Sequence, residues 1–501
     1  MIQTHVHGIS VMSALALLLT TLPVMAETDS FEVYSEAVGQ SLSSIQVDDT
    51  GMTADADRWL STRLILSAQH AFIEGLKVTA SGELRLWRLM DSGSPLGLQY
   101  ADDTFEHERD ADAASVRPVL HTLSLEYVTP VGLFRCGYQS AQWGTGMLVN
   151  NGRQERIFGD GWSGNRTGRC LYAARFGGAF TFFTGADYVF RDDNAEFVED
   201  DRAYGWTAGL RYAFDGKPAS ETRQALSVLF AQRFQTDRSD PYHPVDKRTT
   251  LDVNSVDIHF KWHRPISPTQ TLAIESEVAA LFGQTTRPFL EETFENGADI
   301  LAAGGVLRLS YLSPRLQTNL EAGFASGDND PRDSTIRQFT FNQSYTVGLV
   351  LFKHVLPLMS ARSIDRLADP ELLDVPPYAL RFTANQGAVR NAAYAYPNVR
   401  WNITEQWAMR LAYLYAQRAA DAVDPYQSAI AGGYNTAVGG GQPGGRELGH
   451  EIDAAIDFKY LLHGVELGLS AENGWFFPGD AFAGVLEEPV FTTRFVQSIH
   501  W

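Results

Sequence analysis

Charged residues recur on every second position of apolar stretches in this chain. In "EQWAMRLAYLYA" Arg410 lies between Met409 and Leu411, and in "HEIDAAIDFKY" Glu451, Asp453, Asp457 and Lys459 alternate with Ile452, Ala454, Ile456 and Phe458. The same pattern places Arg135, Arg211, Arg308, Arg315, Arg410 and Arg494 on a polar face, together with Glu275, Glu321, Asp453 and Glu466. Guanidinium and carboxylate groups sharing a face admit two kinds of chemistry. They form a ladder of cross-strand ion pairs that stiffens a wall, or the arginines gather at one height and select charged solutes in a narrow pore, where an unmatched charge is costly. The sequence leaves both open, because it does not give the height of each residue.

A period of two means strands whose side chains point alternately to opposite faces. Further examples are "AYGWTAGLRYAF", "VNSVDIHFKW" and "HGVELGLSAENG". Other segments begin near Leu60, Leu76, Val119, Val131, Arg169, Ala179, Thr222, Thr269, Asp299, Pro314, Gln343, Asn391 and Pro489, and "SFEVYSEAVGQSLSSIQV" supplies a first one. They run roughly 10 to 15 residues, as a tilted membrane-crossing strand requires; strands of water-soluble proteins are usually about 5 or 6. Short turns, such as Glu74–Gly75, Thr129–Pro130 and Gly177–Gly178, alternate with long polar connections near 90–118, 142–168, 191–202, 237–248, 284–298 and 327–341. That asymmetry marks an outer-membrane barrel with short periplasmic turns and long outer loops. The expected fold is all-β: one antiparallel transmembrane β-barrel of about 18 strands, within an even count of roughly 18 to 20. The alternation slips after Lys353. A short strand in "YALRFTANQ" would restore it, leaving "HVLPLMSARSIDRLADPELLDVPP" as a long periplasmic connection with a helical turn.

Residues 1–26 read as a cleaved signal peptide: an apolar run from Ile9 to Val24 ends in "VMA", with the cut after Ala26, although the preceding region carries His5 and His7 and no Lys or Arg. Residues 27–501 would then form the barrel. Lys plus Arg is 40 and Asp plus Glu 60, a net charge of −20, which disfavours nucleic acid and anionic lipid as partners. Mean hydropathy is −0.17, and after the leader no apolar run reaches the length of a spanning helix. Cys136 and Cys170 flank one connection. In an oxidising compartment they form a disulfide, or else they are two small apolar side chains. The chain closes on "VFTTRFVQSIHW", with Phe491, Phe495, Ile499 and Trp501 on one face. Phe495, Ile499 and Trp501 are expected to be the signal read by the barrel-assembly machinery.

Three stretches carry a family resemblance: "EAGFASGDNDPRDSTIRQFTFN", "NQGAVRNAAYAYPNVRWNITEQWAMRLAYLYA" and "ELGHEIDAAIDFKYLLHGVELGLSAENGWFFPGDAF". In their order and spacing they resemble the alginate export family of outer-membrane barrels, with a fainter echo in "FRCGYQSAQWGTGMLVNNG". The resemblance implies an 18-stranded barrel narrowed by infolded loops. It also implies export of a polysaccharide or smaller solute, with polysaccharide and periplasmic secretion components as partners. The mixed charge of the inward face departs from the positive constriction an anionic polymer would need.

Other constellations are weak. "SGDNDPRD" gathers Asp328, Asp330 and Asp333 but lacks the spacing of a calcium-binding loop. "GGGQPGG" has no following Lys-Ser or Lys-Thr and so is no phosphate loop. "FGDGWSGNRTG" lacks the order of a nucleophile elbow. The histidines lack metal-site pairing. The expected function is a channel in the bacterial outer membrane, with no cofactor, no metal and no catalytic residues. A non-conducting scaffold or adhesin, or an outer-membrane enzyme, are the alternatives.

Overall fold

The computed structural model describes residues 30–54, 58–87, 115–153, 156–159, 164–192, 195–196, 201–217, 223–236, 249–286, 297–330, 333–366, 372, 387–431 and 435–501. The proposed leader and "YALRFTANQ" lie outside them.

Eighteen long strands form one closed sheet. They are β1 (Ser30–Leu42), β2 (Arg58–Ile73), β3 (Leu76–Trp87), β4 (Ser115–Thr129), β5 (Gly132–Ser140) and β6 (Arg166–Phe176). Next come β7 (Phe180–Asp192), β8 (Arg202–Ala213), β9 (Gln224–Thr236), β10 (Thr250–Ser267), β11 (Gln270–Thr285) and β12 (Ala298–Leu312). The last six are β13 (Leu316–Ala325), β14 (Ala392–Asn402), β15 (Trp407–Arg418), β16 (Glu447–Leu462), β17 (Val465–Pro478) and β18 (Val490–His500). Each pairs antiparallel with its chain neighbours, and β1 closes the ring by pairing with both β2 and β18. The seam extends past β18, where Trp501 and Val33 exchange backbone hydrogen bonds of 2.8 and 2.9 Å. Closure leaves no open edge, which is the condition for a sheet surrounded by lipid.

The outer face carries the apolar half of each alternation. In β15, Trp407, Met409, Leu411 and Tyr413 are exposed on the outside, while Ala408, Arg410, Ala412 and Leu414 are buried on the inside. The short turns, such as 74–75, 130–131 and 463–464, all lie at the end where β1 begins and β18 finishes. The long connections lie at the other end.

Two sequence expectations need correction here. No wall strand begins near Gln343, and residues 354–366, the described part of the segment after Lys353, are no periplasmic connection. Residues 326–391 form a single connection between β13 and β14 at the long-loop end. Its stretch from Phe339 to Val355 is buried on both parities, and it runs through a π-helical turn (Leu351–Val355) into helix α1 (Leu356–Arg366). Residues 347–352, "VGLVLF", form a nearly unbroken apolar run, the pattern of a segment covered on every side and not of a lipid-facing strand. With this segment taken out of the wall, the alternation of turns and loops is regular, and the described residues give eighteen long strands.

The packed interior therefore lies within the barrel, between loops and wall. Phe339, Phe341, Tyr345, Leu349 and Phe352 pack with Met147 and Phe158 of the 141–165 connection. They meet small wall residues such as Ala279, Ala302, Ala325 and Ala412. Small residues here make room for the loops: a Cβ on Gly304 would come within 2.5 Å of the Phe339 ring.

Candidate functional site: a loop-built constriction

Two loops fold into the barrel and pack against its wall, and three wall glutamates hold them. The first loop, 141–165, follows β5. Its Trp143 indole donates to Asp257 on β10 at 2.9 Å, and Thr145 donates through its backbone and hydroxyl to Glu277 on β11 at 2.5 and 2.7 Å. Asp257 and Glu277 are fully buried. Further on, Arg156 reaches Glu321 on β13 with two bonds of 2.9 and 3.0 Å.

The second loop is 326–391. The backbone N–H groups of Leu349, Val350 and Leu351 all donate to the Glu451 carboxylate on β16, at 2.5, 2.9 and 2.7 Å. Gly348 makes this turn feasible: its φ is +72°, and a Cβ there would strike Glu451. Three successive donors on one carboxylate resemble the anion-binding nest of a helix start. They neutralise a fully buried carboxylate that would otherwise be very costly.

The outer end of the second loop is clasped by its neighbours. Arg362 and Arg366 of α1 reach Asp48 and Asp49 of the 43–57 connection at 2.7 and 3.1 Å, and Arg366 stacks on Tyr426 of helix α2 (Pro425–Ala431). Burial works against the charge on Asp48, but hydrogen bonds from Thr50 and Arg362 outweigh it and hold its carboxyl below the usual carboxylate range. At Asp424 the balance goes the other way. Burial raises its pKa despite hydrogen bonds from Gln427, Ser363 and Gly439.

The residues singled out from sequence divide by position. Arg308 and Glu321 face each other across β12 and β13 and pair at 2.8 Å. Arg410 bonds Asp457 and Glu472 at 2.7 and 2.8 Å, and Arg494 also reaches Glu472. Asp453 is fully buried, 3.4 Å from the Tyr396 hydroxyl. These five residues lie in the arc against which the loops pack. Arg135 pairs with Glu126 on the opposite arc. Glu275 pairs with His263 at 3.0 Å, and Glu466 with Lys459. Arg211 is half-buried, and its buried Nε has no hydrogen-bond partner. Arg315 is exposed in the turn after β12, off the wall itself. Cys136 and Cys170 are opposite residues of β5 and β6, joined by a disulfide on the exposed outer face. Phe495 points outward, Ile499 is half-buried, and Trp501 packs edge-on against Phe31.

Sequence reading missed Arg156, Trp143, Thr145 and the 349–351 turn, because all lie in stretches read as loop or wall. Alternation puts Glu277, Asp257 and Glu451 on the polar face of strands and carries no sign that they hold loops. Asp328 and Asp333 shape the start of the long connection: Asp328 accepts from the backbone of Asp330 and Arg337, and Asp333 pairs with Arg337.

No protein-family model matches the chain, and no curated protein matches its sequence. Solved structures do match its fold. Pseudomonas aeruginosa OpdK with vanillate superposes with a TM-score of 0.53 at 10% identity, covering 95% of this chain and 100% of that one. Acinetobacter baumannii OccAB1 gives 0.52 at 11%, covering 95% and 97%. Pseudomonas aeruginosa OccK2 (OpdF) in complex with glucuronate gives 0.51 at 11%, covering 95% and 99%. These neighbours are Occ and Opd proteins and not alginate export proteins, which overturns the resemblance to the alginate export family. The quoted stretches are strand–loop–strand passages with aromatic restarts, a grammar that lipid and closure impose on outer-membrane barrels generally. The chain thus has the fold of a bacterial outer-membrane porin, a closed antiparallel barrel of eighteen strands.

Proposed function

We propose that this protein is an outer-membrane channel for small solutes, with small organic anions as the favoured class, and not an enzyme. The observation that carries the reading is the constriction: two loops folded into the lumen and fastened to buried wall carboxylates. A narrow passage lined by polar groups selects by size and charge. Support for anions comes from inward guanidinium groups, with the half-buried Arg211 and the partly exposed Arg400 and Arg135 along the wall. It comes also from glucuronate and vanillate in the structures of similarly folded channels. Lipid would meet the apolar girdle, and the barrel-assembly machinery would read Phe495, Ile499 and Trp501.

The test is single-channel recording of the refolded mature chain in a planar bilayer. We expect small, steady, anion-selective currents that glucuronate or vanillate carries or blocks. Cation selectivity with no response to either would remove the anion assignment and leave a general small-solute channel. Silence from a heat-modifiable, correctly folded barrel would overturn the channel and favour a scaffold.

A further inference from the structure

We infer that Arg156 is the positioning residue of the constriction, a single guanidinium that locks both infolded loops and the wall into one body. The inference rests on the channel reading for its consequence, but its geometry stands on its own. Arg156 belongs to the first loop. Its Nε donates to the backbone carbonyl of Thr346 in the second loop at 2.9 Å, and its two terminal nitrogens grip Glu321 on β13. Its plane stacks on the Tyr345 ring, 4.1 Å from the centroid. One rigid fork thus satisfies three partners at once, which a lysine ammonium cannot do in the same geometry.

The contacts around it run between the same three bodies. The backbone N–H of Asn342 in the second loop donates to Met147 of the first at 2.7 Å, and the Thr346 hydroxyl donates to the Phe158 carbonyl at 3.3 Å. From the wall, Arg410 donates to the Ile157 carbonyl and stacks on Phe158. Loops joined this way cannot open independently: displacing the first one drags the floor of the second.

The wall does not depend on Arg156. Without it Glu321 still accepts from Arg308 at 2.8 Å, from Tyr394 at 2.8 Å and from Tyr345 at 3.0 Å. Removing the arginine therefore leaves a paired carboxylate and an intact barrel, and the loss falls on the loops.

Two reporter thiols test this, one per loop: Met147→Cys and Leu349→Cys, both at buried positions. The native cysteines are paired with each other and do not compete for the label. Each reporter is labelled with a membrane-impermeant maleimide in the otherwise native chain, with Arg156→Ala, and with Glu405→Ala, in the exposed short turn after β14, as control. Single-channel conductance is recorded alongside. Arg156→Ala should raise both labelling rates together, by about tenfold or more as the open population grows, and should raise conductance; Glu405→Ala should change neither. Acceleration at Met147→Cys alone, or at neither site, would overturn the inference. If Arg156→Ala fails to insert, Arg156→Lys decides by the same pair of rates, since it keeps the charge but not the fork. Joint acceleration in a barrel that never conducts would uphold the lock and sink the channel reading. Unchanged rates in a conducting barrel would do the reverse.

Discussion

The two arcs of the barrel wall treat their carboxylates differently. On strands β1 to β7 acidic residues are paired within the wall. Glu36 faces Arg63, Glu126 faces Arg135, and Asp187 faces Arg169, each directly across the ladder. Glu83 is held by Arg85 on its own strand and by His121. On strands β10 to β17 the ladder neighbours of Glu451, Asp257 and Glu277 include no arginine or lysine. Glu451 faces Leu414 and Phe476, Asp257 faces Leu229 and Ala279, and Glu277 faces His259 and Val306. These groups accept hydrogen bonds from loop donors, Trp143, Thr145 and the 349–351 backbone. Cross-strand register thus biases the role of a carboxylate: one opposite arginine stiffens the wall, whereas Glu451, Asp257 and Glu277, opposite no arginine or lysine, hold a loop; Glu83, opposite Ile65 and Val119, is satisfied instead by Arg85 and His121. Glu321 lies between the two cases, holding Arg308 of the wall and Arg156 of the loop.

The sharpest way to break this comparison is Glu451→Ala. It strands three backbone N–H groups, and a buried donor left without a partner costs about 1–3 kcal/mol. We expect the 347–355 segment to leave the wall, proteolysis to reach it, and conductance to rise markedly, while the barrel stays heat-modifiable. A protease-resistant loop in the variant would show that apolar packing alone holds it. Glu277→Ala should act in the same direction with smaller effect. It frees the tip around Thr145, but Trp143 remains on Asp257. Limited proteolysis at residues 143–149 checks it.

Much of the wall was readable from alternation alone, because lipid on one side and a wet or loop-packed lumen on the other force a period of two. Arg410 between Met409 and Leu411 could be placed without any structure. The constriction was not readable in the same way. Its fastening points are backbone donors at 349–351 and one arginine in a connection, and neither has a periodic signature. The "FTFNQSYTVGLVLF" stretch even alternates enough at its start to imitate a wall strand. Whether Glu451 or Glu126 would hold a loop depended on register, which no single strand reveals. The family resemblance failed for a related reason: it rested on strand–loop–strand passages of a kind that outer-membrane barrels share generally.

The outer clasp offers a milder perturbation. Asp48 has its pKa lowered in the fold, so its contribution is fully present above the unfolded value and is lost as pH falls through the folded one. The contact from α1 to the 43–57 connection should therefore hold at neutral pH and loosen only in acid, below the ordinary carboxylate range. Arg362→Ala should move that loosening to higher pH. A spin-label or fluorescence distance between α1 and the 43–57 connection, followed against pH, would read both effects. A distance that ignores both pH and Arg362 would place the hold elsewhere.

The smallest effect is expected on the self-paired arc. Arg135 is 40% exposed in its pair with Glu126, and Lys77 supports the same carboxylate. Glu126 itself is buried, but the exposed Arg135 keeps the pair in contact with water, and the pair contributes about 1 kcal/mol. Glu126→Gln should thus leave loop proteolysis and thermal stability nearly unchanged. It should still alter permeation, because it unmasks Arg135 and Lys77 toward the lumen. Selectivity measured as reversal potential in a salt gradient should shift toward anions, most strongly at low ionic strength, where screening is weakest. A variant whose constriction loosens instead would show that the two arcs are mechanically coupled, and that the division by register is too simple.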